Sequence, residues 1–552
     1  MTGFPIDSLG WIDTETPLFT RRIQPKKNAV RHDLGVVVVP SFGYVELVAR
    51  DGWVFMAHLL ADAGFPTILL DLPGTGSSGD IPSDSSWIKS WVGAVRHAVC
   101  AVETSKVVLI GARVGALVAS AALQQADIDE QVESLVLWSP TPSGRQFKRE
   151  LSLLAASPPG SVQPDGVTFG GFLHSAALLD ELGTLTLRPM SARGRTMMII
   201  EDSQRPEPTK AVAVFEDLGW SVKTVRSSET RAWLDASAEL AAPPSADGQL
   251  LVGHLQSVAA SMSQFMTPTA SGDIASHHGA NSTIGLSEEV QALGPPGLAA
   301  VFHHPPTQPD AALGVMLLNS GVERAWGPGR AWVDAARRWS AAGITVARIE
   351  HASTGDSGTW PGQERHDVYG SHGAVDIALG LEAMASRGAD RVVAAGLCSS
   401  AFALLQAGPD QRMAVAVAIN PQLYRIGTGA GVIEEETNHV RYWIARVDQV
   451  IGLRRTLNAL KRLLGRYHPA FDWIEAFVGS STRLVLVFGS DDRGLRFLQR
   501  EGAGKLASLQ RAGVELVVID GLDHALHSVI HRAQVMAVLD RLLADVCPPP
   551  EC

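Results

Sequence analysis

Cysteine is scarce, with four in 552 residues, and the four (Cys100, Cys398, Cys547, Cys552) show no paired spacing. That excludes a disulfide framework and points to a reducing, cytoplasmic setting. Cys100 falls in an apolar helical stretch and reads as core. No run reaches the eighteen or so uncharged apolar residues that a membrane span requires. The first residues, MTGFPIDSLGWIDTETPLF, lack a basic start and a continuous apolar stretch, so they do not read as a secretory signal. Positive charge is also short: the formal net charge is −11, and no basic stripe is present. Nucleic acid is therefore not an expected partner. The small cluster Arg21, Arg22, Lys26, Lys27 reads as a solvated strand end.

What is present is apolar residues, 46% of the chain, with 19% charged. A chain this long needs more than one core. Short apolar runs at 36–39, 67–71, 106–110, 134–138, 196–200 and 222–225 alternate with helical patterns. That alternation predicts an α/β fold with a mostly parallel sheet covered by helices. A polar, Gly/Ser/Ala-rich tract around 266–284 then reads as a linker, and its His277-His278 pair reads as solvated, not metal-binding. After it the pattern restarts, with strands at 314–318, 344–350, 414–419, 484–488 and 514–519 and a short buried strand running into Gly396. Pairing Val36 with Val315, Asp71 with Glu350, Gly111 with Gly396 and Val225 with Ile519 makes the chain a tandem duplication. The expected units are 1–265 and 285–547. Each carries an insertion that reads as a lid, at 141–195 and at about 420–482. The latter includes helical patterns at 440–450 and 451–464.

The chemistry concentrates at RVVAAGLCSSA, residues 391–401. A buried strand stops there, turns sharply and resumes as a helix, the context of a strained turn that lifts a nucleophile off the sheet. Cys398 stands at the tip. Gly396 occupies the crowded position two before it, and Ser400 stands where Gly is usual two after it. A free thiol has a pKa of about 8.5 and needs a base near pH 7. The base needs an acid to orient it. Two later strand ends supply these in the order nucleophile, acid, histidine. Asp492 is favoured over Asp491 as the acid. His524 is favoured over His527 and His531, which the pattern puts inside the following helix. Two backbone N–H groups would receive the developing oxyanion, from Ser399 and from Val322 in the loop 320–322. No cofactor or metal is implied. Gly355-Asp356-Ser357 reads as a structural turn, with Asp356 holding backbone groups.

The first unit lacks this set. Arg113 stands where the nucleophile would, Glu201-Asp202-Ser203 keeps the acid loop, and Arg226-Ser227-Ser228-Glu229-Thr230 has no histidine. No covalent catalysis is expected there. Arg113 either anchors an anionic group or pairs with Glu201 or Asp202.

At these residues the chain resembles the α/β-hydrolase superfamily. Asn319-Ser320-Gly321, Gly327-Pro328-Gly329-Arg330, Gly355-Asp356-Ser357 and Gly396-Leu397-Cys398-Ser399 make the second unit similar to serine aminopeptidase S33-like hydrolases. Pro40-Ser41-Phe42-Gly43 and Gly74-Thr75-Gly76-Ser77 make the first resemble hydrolases associated with exosortase and exopolysaccharide systems. The resemblance implies hydrolysis of an ester, thioester or amide, or acyl transfer through the same intermediate, with a small-molecule or carrier-bound acyl substrate. A non-catalytic binding or scaffold protein is the alternative from another class.

Overall fold

The computed structural model describes residues 9–26, 30–155, 162–163, 165–188, 192, 194–206, 209–263, 287–306, 313–321, 323–423 and 470–546. The expected linker 266–284, Val322, Cys547, Cys552 and residues 424–469 of the expected lid lie outside the described residues.

The first half builds β1 (Leu9–Ile12), β2 (Leu18–Ile23), β3 (Leu34–Val39), β4 (Thr67–Leu70), β5 (Lys106–Ala112) and β6 (Val132–Trp138). After them come β7 (Val162–Gln163), β8 (Gly166–Phe169), β9 (Phe172–Ser175), β10 (Thr196–Asp202) and β11 (Ser221–Ser227). The second half builds β12 (Ser287–Leu293), β13 (Leu298–His304), β14 (Leu313–Leu318), β15 (Thr345–Ile349), β16 (Arg391–Leu397), β17 (Met413–Ile419), β18 (Arg483–Gly489) and β19 (Glu515–Ile519). Two eight-stranded sheets result, ordered β1-β2-β4-β3-β5-β6-β10-β11 and β12-β13-β15-β14-β16-β17-β18-β19. The orders coincide strand for strand, so the internal repeat read from the sequence is a repeat of topology. Strands β7, β8 and β9 form a small antiparallel sheet inside the first insertion.

Parallel strands with helices on both faces must be apolar on both sides. β3 (LGVVVV) is buried at every position, and β17 (MAVAVAI) at all but one. Alternate side chains feed opposite layers. Val37 and Leu109 pack toward Trp91 and Val95, whereas Val36 and Val108 pack toward Trp53, Trp138 and Trp233. These three indoles meet edge to face, an arrangement that suits the ring quadrupole.

The leading strands β1, β2, β12 and β13 are antiparallel and were not anticipated. Arg21 and Arg22 in β2 and Glu288 and Glu289 in β12 concealed two of them. Arg21, expected in solvent, is fully buried, and its guanidinium pairs with Asp356 of the other half. Asp356 also faces Arg324 at 3.3 Å, and Arg324 pairs with Asp51 of the first half. Thus Asp356 does not hold the backbone of its turn. Glu350 does so instead, accepting from the N–H groups of Ala325 and Asp356. Burial alone would raise Asp356, but Arg324, Arg21 and Arg50 hold it down at about 2. Burial and the neighbouring Asp356 push Glu350 up to about 7. Around this centre Arg348 donates to Ser77 Oγ at 3.3 Å, and Arg330 donates to the carbonyls of Gly76 and Ser78. The two halves are joined by buried, paired charge, whose loss on one side leaves the other uncompensated.

Cys100, expected in the core, is exposed on the outer side of its helix. Among the described residues no helix is long and apolar enough to cross a membrane.

Candidate active site

β16 ends at Leu397, and the helix Ser399–Ala407 begins two residues later. The intervening Cys398 has φ 57° and ψ −107°, a conformation non-glycine residues adopt only under constraint. The constraint is visible on either side. A Cβ on Gly396 would lie 2.7 Å from the Ser400 carbonyl carbon and 2.8 Å from the Ala401 nitrogen. Ser400 is accommodated because its hydroxyl donates to the Asn319 carbonyl. The first half makes the same bend at Arg113 (φ 50°, ψ −119°). There Gly115 takes the place of Ser400, and a Cβ would strike the Val39 and Pro40 carbonyls.

β18 ends in the loop that carries Asp492, and β19 ends in the loop that carries His524. Asp492 Oδ2 lies 2.7 Å from His524 Nδ1. Its Oδ1 accepts from Gly494 N at 2.7 Å and so caps the helix Arg493–Arg511. Asp491 points outward and pairs with Arg496. Burial by itself would lower the pKa of His524, but the hydrogen bond to Asp492 and the adjacent Cys398 sulfur raise it from 6.5 to about 10.

A sulfur on the elbow, an imidazole at its side and a carboxylate behind the imidazole thus meet at the carboxyl end of a sheet with this strand order. Each half has the α/β-hydrolase fold. In the second half Cys398, Asp492 and His524 stand just beyond the ends of β16, β18 and β19. In the first the elbow carries Arg113, which donates to Ser139 Oγ at 3.2 Å and pairs with Asp235. The expected partners are otherwise engaged: Glu201 accepts from Ser139, and Asp202 pairs with Arg231 at 3.0 Å. The real partner, Asp235, comes from a later loop.

Three further residues shape the site and carried no signal in the sequence. Gln422 Nε2 lies 3.2 Å from Cys398 Sγ and 3.1 Å from His524 Nε2, so its amide bridges the sulfur and the imidazole. Tyr369 presents its hydroxyl 3.5 Å from the same sulfur. Asn420 accepts from Gly489 N and donates to the carbonyls of Asp523 and His524, tying the acid loop to the histidine loop. Each lies in a turn whose composition is ordinary, and only the fold brings it to the sulfur or between the loops. His527 precedes the helix Val529–Val546, contrary to expectation, and turns to Asp523 at 3.5 Å. His531 lies within that helix, as expected.

On the oxyanion side, Ser399 opens its helix, where a first-turn N–H has no intrahelical acceptor. Its side chain accepts from Gly321 N at 2.8 Å, so that N–H is already engaged. Val322 is outside the described residues. Among the described residues no three His, Cys, Asp or Glu side chains are grouped to hold a metal ion.

No protein-family model and no curated protein matches this sequence. Solved structures similar to it include Est1E from Butyrivibrio proteoclasticus, at 17% identity over 46% of this chain and 98% of that one, with a TM-score of 0.34. Another is a proline iminopeptidase from Mycobacterium smegmatis, at 14% identity over 46% and 100%, TM-score 0.33. A third is a putative aryl esterase from Burkholderia cenocepacia, at 13% identity over 46% and 99%, TM-score 0.32. At such identities and scores the likeness assigns no activity to this chain.

Proposed function

We propose that the chain is an acyl hydrolase, acting on an ester or thioester through a covalent acyl-Cys398 intermediate. The observation that carries this reading is the contact of His524 with Asp492 on one side and the Cys398–Gln422 pair on the other. Cys398 Sγ, its proton already on His524 Nε2, attacks the acyl carbon and forms the C–S bond. The tetrahedral oxyanion is received by the backbone N–H of Ser399 and by that of Val322. Collapse breaks the bond to the leaving alcohol or thiol, which takes the proton from His524 Nε2. Water then attacks the thioester carbon, gives its proton to His524, and releases the acid and free Cys398. Throughout, Asp492 keeps Nδ1 protonated and stabilises the imidazolium.

The first unit, residues 1–265, is proposed to be non-catalytic, because a guanidinium cannot attack an acyl carbon. Residues 285–547 form the catalytic unit, with a lid at about 420–482 and the linker 266–284 before it. The experiment is a pre-steady-state burst with activated esters and acyl thioesters, followed by mass spectrometry of the Cys398 peptide. An acyl adduct, absent from Cys398→Ala, is expected. Transfer to an added alcohol or amine in preference to water would reassign the same intermediate to an acyltransferase. Full turnover by Cys398→Ala would remove the reading, whereas thiol probes that label Cys398 no faster than an ordinary exposed cysteine would favour a binding or scaffold protein.

A further inference from the structure

Away from the Cys398 site, between the two halves, lies a cavity of about 550 Å3. Its lining includes none of Cys398, Asp492 and His524. One wall is the rim after β3 and β4 of the first sheet, the end at which open α/β sheets take ligands. The other wall is the pair of second-half helices Ala331–Ala341 and Val529–Val546. Phe42, Trp87, Phe172, Trp326 and Met536 make much of the surface apolar and aromatic. The volume falls in the range of small-molecule sites, roughly 300–1,000 Å3.

The polar groups set the ligand chemistry. Three guanidiniums reach this cavity. Arg330 is paired with Asp80 and Asp334, and Arg338 with Asp540. Arg532 differs. It is 8% exposed, and its Nη1 donates to the Gly171 carbonyl at 2.7 Å and the Leu526 carbonyl at 3.2 Å. Among the described residues no carboxylate lies within ion-pair distance of it. Asp334, which also lines the cavity, Glu323 and Asp523 act on it from farther away, so no direct ion pair closes its fork of donors, and a planar fork of donors matches a carboxylate. On the same cavity, Glu46 is 6% exposed and its Oε2 is buried with no hydrogen-bond partner. Burial, with Asp71 nearby, keeps Glu46 protonated up to about 8, so it adds no negative charge at neutral pH to repel an anion.

We propose that this cleft is a second binding site, taking a small monocarboxylate with an apolar or aromatic body, its carboxylate on Arg532. The site uses both halves of the chain, which gives the degenerate first unit a role that needs no chemistry at Arg113.

The test uses the full chain, with binding followed by tryptophan fluorescence, since Trp87 and Trp326 line the cavity, and by calorimetry. The probes are 4-phenylbutyrate and its neutral amide, 4-phenylbutyramide. The acid should saturate with a Kd below about 1 mM and the amide should bind at least about tenfold more weakly. Arg532→Met should bring the acid to the level of the amide. Because Arg532 also holds two backbone carbonyls, Ala335→Leu serves as a second variant: it narrows the cavity from the opposite helix and should weaken both probes. Cys398→Ala should bind the acid as the wild type does, whether or not the wild type shows an acyl burst. Equal binding of acid and amide, no saturation by either up to about 10 mM, or an acid affinity that survives both cleft variants would overturn the proposal. So would loss of acid binding in Cys398→Ala, which would put the ligand in the other site.

Discussion

Asp492→Asn isolates one charge in the candidate triad with little else disturbed. Asn keeps an oxygen to accept from Gly494 N, so the helix Arg493–Arg511 stays capped. What disappears is the negative charge 2.7 Å from His524 Nδ1. In the wild type His524 titrates at about 10 against the usual 6.5. At about 1.4 kcal/mol per pH unit, that span corresponds to roughly 5 kcal/mol favouring the folded, protonated state. The His524 side chain is 35% exposed, so solvent screens much of this, and Cys398 accounts for part of the rest. We assign about 1–2 kcal/mol to Asp492. The sign follows from a raised histidine: the stabilisation is complete below pH 6.5 and disappears as pH rises through about 10. Urea denaturation at pH 6, 8 and 10.5 should therefore show the variant about 1–2 kcal/mol less stable at pH 6, with the gap closing at the highest pH. Iodoacetamide labelling of Cys398 at pH 7 should slow in parallel, because the imidazolium that supports the thiolate is lost. A stability gap that does not change with pH, together with unchanged labelling, would refute the reasoning.

Gly396→Ala puts a methyl against the Ser400 and Ala401 backbone, which has no rotamer to yield. Overpacking of this kind costs about 1–3 kcal/mol, and Cys398 labelling should change even where a thermal melt still shows a folded protein. Arg21→Met leaves Asp356 buried with one partner fewer. A loss of about 3–5 kcal/mol is expected, read by calorimetry, and Arg21→Met with Asp356→Leu should recover much of it. Glu46→Gln tests the buried acid at the junction. A carboxyl raised to about 8 is stabilising while protonated, so wild-type stability should fall as pH rises from 4.5 to 8, and the variant should lack that decline. Arg113→Cys should give no acyl adduct on residue 113, because the loop after β11 offers Ser227, Ser228 and Glu229 but no imidazole.

The repeat and the order of the site residues are legible along the chain. Continuous apolar runs such as LGVVVV and MAVAVAI have one stable use, as buried parallel strands, and residues at strand ends must emerge at one rim. That is why Cys398, Asp492 and His524, 126 positions apart from first to last, could be named together. The elbow was legible for a similar reason, since Gly396 and the small residues around it leave room for one kind of bend. The contacts that pair polar groups across the chain emerge only once it is folded. Arg21 reads as solvated until Asp356 of the other half is placed against it. Asp235 becomes the partner of Arg113 only when a later loop folds back. Gln422, Tyr369 and Asn420 look like turn residues until the sheet brings them beside the sulfur and the histidine loop. Apolar periodicity is a local property, read along one strand or helix, whereas the partner of a buried charge or hydrogen-bonding group is set by long-range geometry.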